Sequence, residues 1–200
     1  MAGDPEHPYV GRGGLKLQHA LDAFGLDVTD LDCADLGCST GGFTDCLLQR
    51  GAKSVVCVDT AYGQLAWKLR QDSHTSVKER TNVLHADPVE GGVDLVVMDL
   101  GWTPQRLAIP AAAKWLRAGG RIISLIKPHY ELSDRQGKGA KIVLDEDQAL
   151  QVTVDSIEAL KALGYESKGL IKSPILGGGS RSKSAKRGNP EWLALIELAG

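Results

Sequence analysis

At 200 residues, with 42% hydrophobic and 24% charged residues, the chain is long enough to bury the core of one ordinary soluble domain. A formal net charge of −2 excludes a uniformly basic polyanion binder, so any grip on nucleic acid must come from a local patch. No apolar run approaches the roughly 20 residues of a membrane-spanning helix, and the first thirty residues, with Asp4, Glu6, Asp22, Asp27 and Asp30, contain no apolar signal core. The four cysteines, Cys33, Cys38, Cys46 and Cys57, have neither CxxC spacing nor a nearby histidine set. They read as small buried thiols of a reducing cytoplasm rather than as a metal or disulfide framework.

Residues 1–13 are polar and broken by Pro5, Pro8 and Gly11, which predicts an irregular arm ahead of a single domain over 14–200. Leu17, Ala20, Leu21 and Phe24 then recur at helical spacing, with Gly25 as a stop. From Asp32 strands alternate with helices. Strands are predicted at Asp32–Leu36, Ser54–Asp59, Ser76–Glu79, Val93–Asp99 and Arg121–Lys127, and helices at Phe43–Arg50, Gln64–Gln71, Pro104–Arg117 and Asp145–Leu163. The last helix opens on a capping-box spacing, Asp145 and Gln148, carries Leu150, Val154 and Ile157 as an apolar stripe and ends at Gly164. Two more apolar stretches, Tyr165–Ile175 and Glu191–Leu198, have no helix between them and are expected to pair antiparallel. The expected fold is α/β: a doubly wound, mostly parallel seven-stranded sheet with one antiparallel strand.

The segment DLGCSTGGF, Asp35 to Phe43, follows a buried-type strand and opens a helix. Gly37, Gly41 and Gly42 let the backbone turn tightly and approach a ligand. A phosphate could be cradled by the same geometry, so a nucleotide-binding dehydrogenase competes with a methyl-donor site. The spacing is G-x-x-x-G-G rather than G-x-G-x-x-G, and no GK[ST] follows. Asp35 would repel a pyrophosphate yet suits the ammonium of a methionine moiety. Asp59, ending the second strand, can accept hydrogen bonds from ribose hydroxyls under either reading.

In an open α/β sheet ligands sit beyond the carboxyl ends of the strands. Asp99 and Lys127 end the fourth and fifth strands, and a lysine at the end of a buried strand is costly without a partner. If the last strand is antiparallel, its first residue, Glu191, reaches the same rim. Lys16, on the helix before the first strand, is a fourth candidate, beside the plainer reading of a solvated helix lysine. Such a set suits methyl transfer to a hydroxyl, where an amine can take the proton of a poor nucleophile. Trp102, near Asp99, is a candidate for stacking on a nucleobase, whereas Trp67, Trp115 and Trp192 read as packing residues. Between Glu166 and Glu191 no acidic residue occurs, and the basic loop there, with Arg181, Lys183, Lys186 and Arg187, reads either as phosphate-binding or as a solvated loop.

The segments RGGLKL (Arg12–Leu17), STGGFTDCLLQRGA (Ser39–Ala52), ERTN (Glu79–Asn82), the strand ending in Asp99, the strand ending in IKP and GNPEWL (Gly188–Leu193) occur in one order along nearly the whole chain. Together they resemble the TlyA-like RNA methyltransferases, which carry an FtsJ/RrmJ-type domain. The resemblance implies a Rossmann-like class I fold, S-adenosylmethionine as donor and RNA, ribosomal or transfer, as acceptor. It implies a catalytic Lys-Asp-Lys-Glu tetrad of ribose 2′-O-methyltransferases at Lys16, Asp99, Lys127 and Glu191, with Lys127 as base. Donor contacts would fall on Asp35, Gly37, Cys38, Ser39, Thr40, Gly41, Gly42, Phe43, Asp59, Asn82 and Asp99, with Asp87 a further candidate on the adenine side. Apart from the resemblance, Arg12 and the basic loop are candidate RNA contacts, the loop standing in for part of the family's RNA-binding domain. The chain departs from the family in three places. The residues before RGGLKL are too few for the family's small RNA-binding domain. DLGW (Asp99 to Trp102) stands where the family has DVSF, and the loop between SPI and GN is longer and more basic.

Overall fold

The structure, a computed structural model, describes residues 8–136, 144–177 and 188–199. Seven strands form one sheet: β1 (Asp32–Leu36), β2 (Ser54–Val58), β3 (Thr75–Lys78), β4 (Val93–Met98), β5 (Leu116–Ile126), β6 (Tyr165–Lys172) and β7 (Trp192–Leu198). Among the described residues six α-helices accompany them: α1 (Gly13–Phe24), α2 (Gly42–Gln49), α3 (Trp67–Arg70), α4 (Gln105–Ala113), α5 (Pro128–Gln136) and α6 (Glu146–Lys161). The strand order is β3-β2-β1-β4-β5-β7-β6. β7 alone runs against the rest, antiparallel to both β5 and β6. The doubly wound α/β sheet with one antiparallel strand is therefore the observed fold.

Both faces of the central strands are buried, which is why they read as continuous apolar runs rather than as alternating ones. Cys33, Val97, Ile123 and Leu193 face one layer, where Leu17 and Leu21 of α1 and Leu47 of α2 pack. Ala34, Val96, Ile122 and Ala194 face the other, against Ile109 of α4 and Leu160 of α6. All four cysteines are buried and free. None of the described helices is long and apolar enough to cross a membrane.

Several expectations are corrected. Helix α3 begins at Trp67, not Gln64, because Ala66 is extended (ψ 138°) and its N–H bonds to Thr40 O at 3.1 Å, tying this segment to the glycine loop instead. Trp67 is consequently 70% exposed, whereas Trp115 and Trp192 are buried as expected. Helix α4 stops at Ala113, since Leu116 already pairs with Val93 in β5, past a register irregularity. The capping box of α6 is present, but the buried face is Ala149, Thr153, Ser156, Ile157 and Leu160, leaving Leu150 and Val154 exposed. Helix α5, directly after Lys127, has no counterpart among the predicted elements.

Candidate active site at the carboxyl rim

The glycine loop joins β1 to α2. Gly37 has φ 89° and its N–H bonds to Val58 O at 2.8 Å; an added Cβ would lie 2.8 Å from Asp99 O, so only glycine lets the loop pass this close to β4. Ser39 also adopts a left-handed backbone, φ 49°, its N–H donating to Asp59 Oδ2 at 2.7 Å while Ala61 N–H donates to Oδ1 at 2.8 Å. Asp59 thus holds the loop from the end of β2. Asp35 is wholly buried inside the loop: its Oδ2 accepts from Thr44 N–H (2.9 Å) and Thr44 Oγ1 (2.6 Å), and its Oδ1 is buried with no partner. Burial pushes this carboxyl up to about 7, against the Thr44 hydrogen bonds and with a push from Asp99 and Asp59.

Two cavities open on either side of Gly37, Ser39 and Asp99, which line both. The first, about 240 Å³, is lined by Arg12, Lys16, Asp35, Cys38, Thr40, Gly42, Phe43 and Gly177 among others. The second, about 340 Å³, lies between the ends of β2 and β4 and includes Asp59, Gln64, Thr81, Asn82 and Thr103. The side chain of Asn82 also accepts from Leu84 N–H at 3.0 Å, capping a 3-10 turn over Val83–His85. Gly41 lines neither cavity: it caps α2 with φ 96°, hard against Leu65 and Leu69, and so shapes the loop without facing its interior. Asp87 lines neither cavity either.

Four ionisable groups meet at this rim. Lys16 is only 8% exposed because α1 packs unusually tightly on α2: an added Cβ at Gly42 would lie 2.9 Å from Gly14 N, and one at Gly14 would enter the ring of Tyr9. Its Nζ reaches Glu191 Oε2 at 2.5 Å, and Glu191 is 3% exposed. Lys127, one residue past β5, forms a direct ion pair with Asp99, one residue past β4. Burial pushes the Glu191 carboxyl up, while Lys16 and then Lys127 pull it back down and Asp99 pushes it up. Both ion pairs therefore act in one field. A buried charge pair this costly to desolvate needs a reason beyond stability.

Residues outside the predicted set complete the rim. Thr44 holds Asp35, and Asp45 accepts from Val10 N–H at 2.7 Å and pairs with Lys68, fastening the N-terminal arm to α2. Both lie within STGGFTD, but nothing in that segment marks which polar side chain turns inward. Trp102, 77% exposed on a left-handed backbone (φ 60°), stacks on Tyr130 with ring centroids 4.5 Å apart. Tyr130 in turn has its ring 5.8 Å from Lys127 Nζ and 4.1 Å from the His129 ring. Arg12 is exposed at the edge of the first cavity; Arg181, Lys183, Lys186 and Arg187 lie outside the described residues.

The family model for FtsJ-like methyltransferases matches residues 9–185, spanning the arm, the glycine loop and both lysines. The chain belongs to this family. Among its relatives, YqxC of Bacillus subtilis is 44% identical over 96% of this chain and 66% of its own length. The 16S/23S rRNA (cytidine-2′-O)-methyltransferase TlyA of Mycobacterium tuberculosis is 39% identical over 87% of this chain and likewise 66% of its own. The chain thus spans just under two thirds of these relatives. A solved structure named for a hemolysin from Streptococcus thermophilus superposes with a TM-score of 0.85 at 39% identity, covering 99% of this chain and 70% of that one. In this member of the family the glycine loop, Asp59 and the four ionisable groups share one rim.

Proposed function

We propose that the protein is an S-adenosylmethionine-dependent methyltransferase acting on a ribose 2′-hydroxyl of RNA. The observation that carries this reading is the convergence of Lys16–Glu191 and Lys127–Asp99, drawn from four distant segments, beside the glycine loop. The name of the Mycobacterium tuberculosis relative, which specifies a 2′-hydroxyl of rRNA cytidine, points the same way.

The residues present fit the donor. The orphaned Oδ1 of Asp35 suits an ammonium group, the main chain at Gly37 and Gly42 leaves no room for a Cβ, and Asp59 with Asn82 borders the second cavity where a ribose and base would lie. Asp35, buried inside the loop, would repel a pyrophosphate, which disfavours the dinucleotide alternative. When bound, S-adenosylmethionine supplies an electrophilic methyl group.

The chain's own residues supply the rest. Asp99 orients Lys127, whose Nζ would accept the hydroxyl proton; Glu191 holds Lys16 as a cation for charge developing at the oxygen. General-base help of this kind contributes about 10²–10⁴-fold, and alignment of the hydroxyl much of the remainder. The Trp102–Tyr130 stack offers a face for the acceptor base, and Arg12 a phosphate contact. A protein acting on cellular RNA, with four reduced thiols, fits a cytoplasmic setting.

The test is incubation with methyl-labelled donor and total RNA, followed by digestion to nucleosides. Label on ribose is the expected outcome; label on a base carbon or nitrogen, or none in RNA but transfer to small molecules, would overturn the reading.

A further inference from the structure

Glu191 is held by more than Lys16. The chain on either side of it is paired with residues 173–177: Ser173 N–H donates to Glu191 O at 2.8 Å, Gly177 N–H donates to Asn189 O at 3.0 Å and Asn189 N–H donates to Gly177 O at 3.1 Å. Ser173 Oγ, donating to Ile175 O at 2.7 Å, tightens the turn between. This clasp seats the α-carbon of Gly177 directly on the Glu191 carboxyl group: an ideal Cβ at 177 would overlap Oε1 and the carboxyl carbon. Gly188, on the facing segment, has no room for a Cβ either, because it would overlap Gly177 O and lie 2.8 Å from Leu176 Cβ. The main-chain segments therefore close to a separation that only glycine permits at 188, while at 177 the space of a Cβ is taken by the Glu191 carboxyl group.

We propose that Gly177 is a positioning residue, whose bare α-carbon presses the Glu191 carboxylate onto Lys16 and so sets the place of the Lys16 ammonium at the rim. The geometry distinguishes this from a packing role. The clasp is fixed by two reciprocal main-chain hydrogen bonds, whereas the group that a Cβ would meet is the tip of a rotatable side chain. A methyl at 177 displaces the carboxylate rather than the backbone. The Glu191 side chain is buried against Lys16, so displacing its carboxylate parts the pair and leaves a buried ammonium without its counter-ion. Gly177 itself lines that cavity alongside Lys16 and Asp99. The inference rests on the methyl-transfer reading of the four ionisable groups.

Two double-mutant cycles test it, both joining Gly177→Ala with Glu191→Asp, whose shorter side chain withdraws the carboxylate and makes room for the methyl. One cycle reads turnover of methyl transfer to RNA at saturating S-adenosylmethionine; the other reads Tm. Gly177→Ala is expected to lower turnover on the order of 10–100-fold in the otherwise unaltered protein. In the Glu191→Asp background the same change costs roughly twofold or less, since the two groups no longer meet. Equal losses in both backgrounds overturn the proposal. A protein inert toward RNA would remove the methyl-transfer reading, and the thermal cycle then decides the clasp alone. Gly177→Ala must lower Tm more beside Glu191 than beside Asp at that position, and equal shifts overturn it. If Gly177→Ala does not fold, recovery of folded protein on adding Glu191→Asp is the same coupling, and failure to recover contradicts it.

Discussion

Asp35, the proposed partner of the donor's ammonium, holds its place at the expense of the fold. Fully buried and bonded only to Thr44, it gives up its proton at about pH 7 in the folded chain, well above an exposed carboxylate. Between the unfolded and folded values the folded state binds more protons, so this residue's contribution to stability falls as pH rises from about 4 to 7. A ligand ammonium at Oδ1 reverses the balance. Donor affinity, read by calorimetry, is therefore expected to climb about tenfold per pH unit well below 7 and to level off near it. Asp35→Asn should bind S-adenosylmethionine roughly tenfold or more weakly, with no such rise, while gaining stability at neutral pH. A pH-independent affinity in the unaltered protein would contradict this role. The acid itself was legible in DLGCSTGGF; the partnerless oxygen was not, because which oxygen Thr44 takes is decided by three-dimensional packing.

At the scale of elements, the arrangement depends on close approach of α1 to α2. Gly42 meets Gly11 O and Gly14 N at distances that would be 3.0 and 2.9 Å from a Cβ, and Gly14 sits under Tyr9. Gly42→Ala should cost roughly 1–3 kcal/mol of stability by overpacking and, by lifting α1, lower methyl transfer through displacement of Lys16. Denaturant unfolding and turnover measured on one preparation check both; a loss of stability with turnover unchanged would separate Lys16 from catalysis. The strands were readable because their apolar runs are short and bounded, and they end within a residue of Asp59, Asp99 and Lys127 as expected. The errors have physical causes. Helix α3 was overlong because Ala66 exchanges a helical hydrogen bond for one to Thr40 O, a contact 26 residues away that local pattern does not encode. Helix α6 turns a small, partly polar face of Ala149, Thr153 and Ser156 inward, where a reading by apolar residues selected Leu150 and Val154. Helix α5 begins on Pro128 and is polar in sequence, so it carried no apolar period to find.

For the whole molecule, the order β3-β2-β1-β4-β5-β7-β6 places the cavities where the winding reverses, between β1 and β4. Reversal of β7 alone brings Glu191 to the carboxyl rim; the lack of a helix between the last two strands predicted their antiparallel pairing but not which of them is reversed. On the proposed function, a chain with net charge −2 holds RNA through a local patch of cations. RNA affinity is accordingly expected to fall steeply with salt, and Arg12→Ala to weaken binding of different sequences alike while reducing the salt slope by about one. Binding indifferent to salt would place RNA recognition elsewhere. The convergence of both ion pairs is tested most directly by Lys127→Ala, assayed for donor binding by calorimetry and for methyl transfer to RNA. The expected result is donor affinity within about threefold of the unaltered protein and transfer reduced on the order of 10²–10⁴-fold. Transfer persisting at near its original rate, with the lysine gone and the donor still bound, would contradict it.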